Sequence, residues 1–139
     1  KPGGKIIQVA SSVAFSPAPY FAVYAATKSY VVSFADALGF ELRDQGIQVI
    51  AVCPGPVETE FFSNAQRNEF MKDKVGEAEP FNRKLYASSK AVVAKAIADL
   101  EKGKRHSIYG MSIKLFSAAA NIVPTALKLR ALASRNPQK

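Results

Sequence analysis

The chain holds 139 residues, 48% of them hydrophobic, with 19 lysines and arginines against 11 acidic residues and a net charge of +8. That length and apolar content suit one ordinary domain, a lone cysteine excludes an intrachain disulfide, and one cysteine with one histidine excludes a typical structural zinc site. The positive balance invites nucleic acid, but no zinc spacing, aromatic ribonucleoprotein motif or helix-turn-helix signal accompanies it, so no nucleic-acid partner is expected.

Along the chain, Lys1-Pro2-Gly3-Gly4 reads as a loop. Lys5-Ile6-Ile7-Gln8-Val9-Ala10 is short, β-branched and apolar, which predicts a buried strand with Ser11-Ser12 at its carboxyl end. A long helix is predicted from about Phe21 or Tyr24 to Asp44, stopped by Gly46. Its apolar residues (Tyr30, Val31, Val32, Phe34, Ala35, Ala37, Leu38, Phe40 and Leu42) lie nearly all round, which predicts burial on every side. One face would pack on a sheet, and the other either against a second subunit or within one complete domain. Ile47 to Cys53 predicts a second strand, and Pro54-Gly55-Pro56-Val57-Glu58-Thr59 follows it. Cys53, at the strand end, reads as a small buried apolar residue.

Residues 60–87 have a different texture. Glu60-Phe61-Phe62 begins a short helical stretch, and Asn68 to Arg83 mixes charge with Gly76 and Pro80. This segment is expected to be a mobile insertion acting as a substrate lid, with Phe61, Phe62, Phe70, Met71 and Phe81 favouring a hydrophobic substrate; a solvated surface loop is the other reading. Ser88-Ser89 should cap a helix from Lys90 to Lys102, with Val92, Val93, Ala96, Ile97 and Leu100 on its buried stripe. His106-Ser107-Ile108-Tyr109 predicts a third strand with an exposed His106 at its start. From residue 111 to 139 runs a basic helical tail (Lys114, Lys128, Arg130, Arg135, Lys139) without an acidic residue. Its apolar stretch from Leu115 to Ala133 is interrupted by Pro124, and no run reaches the roughly 18 apolar residues of a spanning helix. The tail can pack on another subunit, extend into solvent, or lie on an anionic membrane surface.

The chemistry-bearing residues sit between the first two strands. Tyr24 and Lys28 are one helical turn apart and project from the same face, thirteen residues after Ser11. An ammonium beside a phenol favours the phenolate, which suits the phenol to proton transfer. In open parallel α/β sheets ligands bind beyond the carboxyl ends of the strands, where Ser11 and the Pro54–Thr59 run fall.

Val9-Ala10-Ser11, Pro17-Ala18-Pro19, Tyr24-Ala25-Ala26-Thr27-Lys28 and Cys53-Pro54-Gly55-Pro56-Val57-Glu58-Thr59 together resemble the carboxyl-terminal half of the short-chain dehydrogenase/reductase family. The resemblance runs over essentially all 139 residues. It implies an α/β chain forming the carboxyl-terminal part of a Rossmann-like doubly wound parallel sheet, using NADP or NAD to exchange a hydride with a carbonyl/alcohol substrate. Tyr24 would be the catalytic acid/base. Lys28 would hold the nicotinamide ribose and assist Tyr24, and Ser11 would bind the substrate oxygen. Ser12 competes with Ser11 for that role, although spacing to Tyr24 favours Ser11. Val57 through its backbone and Thr59 through its hydroxyl would meet the carboxamide, with Pro54 and Gly55 in the same cofactor-binding run. The resemblance further implies a homodimer or homotetramer assembled through the 24–44 helix, and a cytoplasmic setting. The family's Gly-rich turn for the pyrophosphate, its catalytic Asn and the residue that selects NAD or NADP are not among these residues. The chain therefore reads as part of one Rossmann domain whose sheet needs completing, or alternatively as a catalytically inactive remnant serving as a binding or assembly module.

Overall fold

A computed structural model of the chain describes residues 3–19, 21–59 and 86–133. The expected lid, apart from residues 86 and 87, lies outside the described residues, as do Arg135 and Lys139.

Three strands, β1 (Lys5–Val9), β2 (Gln48–Val52) and β5 (His106–Ser107), form a parallel sheet in the order β1-β2-β5. Its longest pairing runs from Lys5↔Gln48 to Val9↔Val52, so the carboxyl ends of β1 and β2 finish level. The α/β class expected from sequence holds. Between β1 and β2 runs helix α1 (Ala22–Glu41), and between β2 and β5 runs α2 (Ser89–Glu101). The central strand owes its unbroken apolar sequence to burial on both faces. Val49, Ala51 and Cys53 pack with Val32 and Ala35 of α1, while Val52 packs with Val92 and Ala96 of α2.

The first strand departs from expectation. Ile6 joins the α1 side, but Ile7 and Val9 point to the other face and Val9 is 63% exposed. The helix on that face, α2, stands over β2 rather than β1, and among the described residues no strand pairs with the outer edge of β1. The α1 helix is also buried on one side only: Ala25, Val32 and Ala35 are buried, whereas Val23, Tyr30, Phe34 and Phe40 are exposed. Tyr30 and Phe34 stack on that outer side with ring centroids 6.0 Å apart. The helix ends at Glu41 rather than Asp44, because the chain tightens into a 3-10 turn (Arg43–Gln45) closed by Gly46 at φ 68°, a left-handed position that suits glycine.

In α2, Ser88 caps the amino end by accepting from the Ala91 amide at 3.3 Å. Its inward face is Val92, Ala96, Asp99 and Leu100; Val93 and Ile97, expected on that stripe, fall on an uncovered flank and are exposed. The buried Asp99 carboxylate accepts from Lys95 (2.6 Å), Lys104 (2.8 Å) and the Ser107 hydroxyl (2.8 Å), which ties α2 to β5. Two short strands, β3 (Val57–Glu58) and β4 (Ala87–Ser88), pair in parallel. They are too brief to leave a sequence pattern. Beyond β5, α3 (Met111–Ile122) and α4 (Thr125–Ala133) are separated at Pro124, as its missing amide demands. Lys128 donates to the Ala120 carbonyl at 2.8 Å and satisfies an acceptor at the end of α3. No helix among the described residues is long and apolar enough to cross a membrane.

Candidate functional site

The β1–β2 ladder continues past the strands themselves. The Ala10 amide donates to the Val52 carbonyl and the Ser12 amide to the Pro54 carbonyl, both at 2.8 Å. Ser11 is thereby held between two anchored residues, level with the turn that leaves β2, and both Ser11 and Ser12 are buried. The Ser11 oxygen accepts from the Val13 amide at 3.4 Å and caps the 3-10 turn Ser12–Phe15. As an acceptor there, it keeps its own proton available for a ligand oxygen.

The first turns of α1 are brought to the same end. Ser29 donates to the Ala14 carbonyl at 2.7 Å, fastening the helix to the 3-10 turn. Lys28 donates to the Val9 carbonyl at 3.1 Å, which sets its ammonium at the carboxyl end of β1. That ammonium lies 5.7 Å from the centroid of the Tyr24 ring, so the phenol and the cation share one face of the helix as their spacing requires. Thr27 donates to the Tyr24 carbonyl at 2.8 Å and holds the turn on which Tyr24 sits.

From β2 the chain passes into Pro54-Gly55-Pro56. A Cβ on Gly55 would stand 2.8 Å from both Cδ1 and Cγ1 of Ile113, so α3 can rest on this turn only because residue 55 has no side chain. Val57 enters β3, where the Glu58 backbone carbonyl accepts from the Ser89 hydroxyl at 3.2 Å and the Ala87 amide donates to the Pro56 carbonyl at 3.0 Å. Thr59 is exposed at the end of this run. Of the residues expected from sequence, Ser11 and Lys28 are thus tied to the carboxyl end of β1, Tyr24 lies across from the Lys28 ammonium, and Pro54 and Gly55 lead from the end of β2 through Val57 to Thr59.

The donor set of a phenol, an ammonium, two hydroxyls and backbone amides fits the nicotinamide-ribose end of a dinucleotide. Among the described residues no group of three His, Cys, Asp or Glu side chains is placed to hold a metal ion. Cys53 is fully buried, and burial, with the Asp36 carboxylate adding to it, pushes its thiol up to about 12, so it stays protonated at neutral pH. A cavity of about 450 Å³ opens between Phe15, Pro17, Ala22, Ala26 and Leu129, but none of Ser11, Tyr24 and Lys28 lines it. It belongs to a different flank of α1.

Three contacts escape sequence reasoning. The Val9 carbonyl as the seat of Lys28 and the Ile113–Gly55 contact both join positions distant in the chain, with no local signal. The third corrects the expectation for His106: it is half-buried, its Nε2 lies 3.0 and 3.1 Å from the two Asp36 carboxylate oxygens, and its ring meets Phe15 edge-on at 6.0 Å. Its partner lies 70 residues upstream on α1.

The family model described as short chain dehydrogenase matches residues 1–69, which contain β1, α1, β2 and the turn to Thr59. The chain belongs to the short-chain dehydrogenase family. Among related proteins, this short-chain dehydrogenase is 38% identical over 81 residues to the NADPH-dependent aldehyde reductase-like protein of Arabidopsis thaliana, a stretch covering 58% of this chain and 30% of that one. It is 39% identical over 80 residues to a putative ketoacyl reductase of Streptomyces coelicolor, covering 58% and 31%. Its fold superposes with a TM-score of 0.67 on a short chain dehydrogenase of Burkholderia cenocepacia solved in complex with NADP, at 25% identity, covering 94% of this chain and 48% of that one. The chain thus spans about a third of the length of the curated relatives it matches and about half of the solved chain.

Proposed function

We propose that this short-chain dehydrogenase interconverts a carbonyl and an alcohol with NADP or NAD, and that Tyr24 is its acid/base. The observation that carries the reading is the seat of Lys28: bonded to the Val9 carbonyl at the end of β1, its ammonium stands 5.7 Å from the centroid of the Tyr24 ring. In the reducing direction Tyr24 gives its phenolic proton to the substrate oxygen, and in the oxidising direction it takes that proton back. Lys28, with its remaining N–H bonds, holds ribose hydroxyls. The Ser11 hydroxyl orients the substrate oxygen, while the Val57 backbone and Thr59 hydroxyl hold the carboxamide, with Pro54 and Gly55 shaping the wall beneath. Nicotinamide, when bound, supplies or accepts the hydride at the carbonyl carbon.

Assembly through α1 is part of the same proposal. Val23, Tyr30 and Phe34 leave an apolar outer face on that helix, which supports a homodimer or homotetramer. A cytoplasmic setting, where nicotinamide coenzymes are available, goes with it. Substituting Tyr24→Phe in the protein should lower turnover by about a hundredfold or more while leaving fluorescence-detected NADPH or NADH binding unchanged. Turnover retained by that variant would refute the acid/base assignment. Absence of saturable binding of either coenzyme to the unaltered protein would instead favour a binding or assembly module.

A further inference from the structure

The face of α3 turned away from the domain carries the feature that the reaction does not use. Inward, α3 packs through Ile113, Ser117 and Ala120. Outward, Met111, Leu115, Ala118 and Ile122 recur at spacings of four, three and four and so line one stripe along the helix. Met111, Leu115 and Ile122 are 70%, 64% and 83% exposed. Lys114 of α3 and Arg130 of α4 are exposed.

Charge decides what covers it. From Met111 to Lys139 there are five lysines and arginines and no acidic residue. A second copy docked here would set one acid-free basic segment against another. Nucleic acid would meet the charge but leave the stripe in water. An anionic bilayer satisfies both, because acyl chains receive the apolar stripe while headgroup phosphates receive the flanking cations. We propose that α3 lies in the plane of an anionic phospholipid surface, with Met111, Leu115 and Ile122 inserted and Lys114 and Arg130 at the headgroups. At twelve residues the helix rests on the bilayer and does not span it. Its inner face touches the Gly55 turn, so the site would stand about one helix diameter (~10 Å) from the lipid.

The test is co-sedimentation of the protein with phosphatidylcholine vesicles, with and without about 30% phosphatidylglycerol. Binding should require the anionic lipid, weaken with added salt, and fall about tenfold or more in a Leu115→Glu/Ile122→Glu variant and in a Lys114→Glu/Arg130→Glu variant. Circular dichroism checks that each variant is folded. Independently, an Ile122→Cys variant carrying an environment-sensitive fluorophore should shift to the blue on anionic vesicles; buried Cys53 leaves position 122 as the labelled thiol. Equal partition to neutral and anionic vesicles, absence of partition, or no blue shift would overturn the proposal. So would a stripe variant that binds as the parent does but changes oligomeric state, since a second copy would then be the occupant.

Discussion

Replacing Asp99 by Ala should destabilise the protein by about 3 kcal/mol at neutral pH. The carboxylate is 4% exposed and accepts from Lys95, Lys104 and the buried Ser107 hydroxyl at 2.6 to 2.8 Å. Truncation leaves the Ser107 hydroxyl without its acceptor, costing about 1–3 kcal/mol, and strips Lys95, whose side chain is 25% exposed, of its counter-ion. Lys104 is 48% exposed, so solvent screening reduces its share to below about 1 kcal/mol. Asp99→Asn, which keeps an acceptor for Ser107, should cost about half as much. Burial alone would raise this carboxyl, but hydrogen bonds from Lys104, Lys95 and Ser107 outweigh it and hold it well below the usual carboxylate range. A depressed folded value stabilises above the unfolded value near ~3.9, and that contribution disappears as pH falls through the folded value. The gap between the protein and its Asp99→Asn variant in urea titrations should therefore shrink progressively below about pH 4. A loss under about 1 kcal/mol for Asp99→Ala, or a gap constant with pH, would refute the reasoning.

At Gly55, substitution by Ala puts a methyl 2.8 Å from two atoms of Ile113, and should cost about 1–3 kcal/mol in thermal or urea unfolding; an Ile113→Ala partner substitution should recover part of that loss. If the double variant is no more stable than Gly55→Ala alone, the contact is not the source. Cys53, buried with its thiol pushed up to about 12, should react with a disulfide reagent at mildly alkaline pH only on unfolding. Prompt labelling of the native protein would show that β2 is more open than its burial indicates.

The order β1-α1-β2-α2-β5 was legible because each element has its own local grammar: β-branched runs, the left-handed stop at Gly46 and the Ser88 cap. The pairing of Tyr24 with Lys28 was legible for the same reason, since one helical turn fixes their side. What stayed hidden was determined by neighbours distant in sequence. Exposure of Val9 follows from where α2 lies over the sheet. Val93 and Ile97 look like core until the angle at which α2 meets β2 is known. The engagement of His106 depends on Asp36, and that of Lys28 on a backbone carbonyl, which no residue type announces. Gly55 was read within its turn, but its need to be glycine comes from Ile113.

The ladder that continues beyond β1 and β2 has a mechanical consequence. Because the amides of Ala10 and Ser12 are bonded across to Val52 and Pro54, the hydroxyl between them rides on the sheet rather than on a loose connection. Displacing Ser11 relative to the Pro54 turn would mean unzipping hydrogen bonds on both sides of it at once. Lys28, anchored to the same strand through Val9, shares that footing. Fluctuations of the surrounding loops are thus decoupled from the spacing of Ser11 and Lys28, and under the proposed function such rigidity would keep the reacting groups in register without reordering at each turnover.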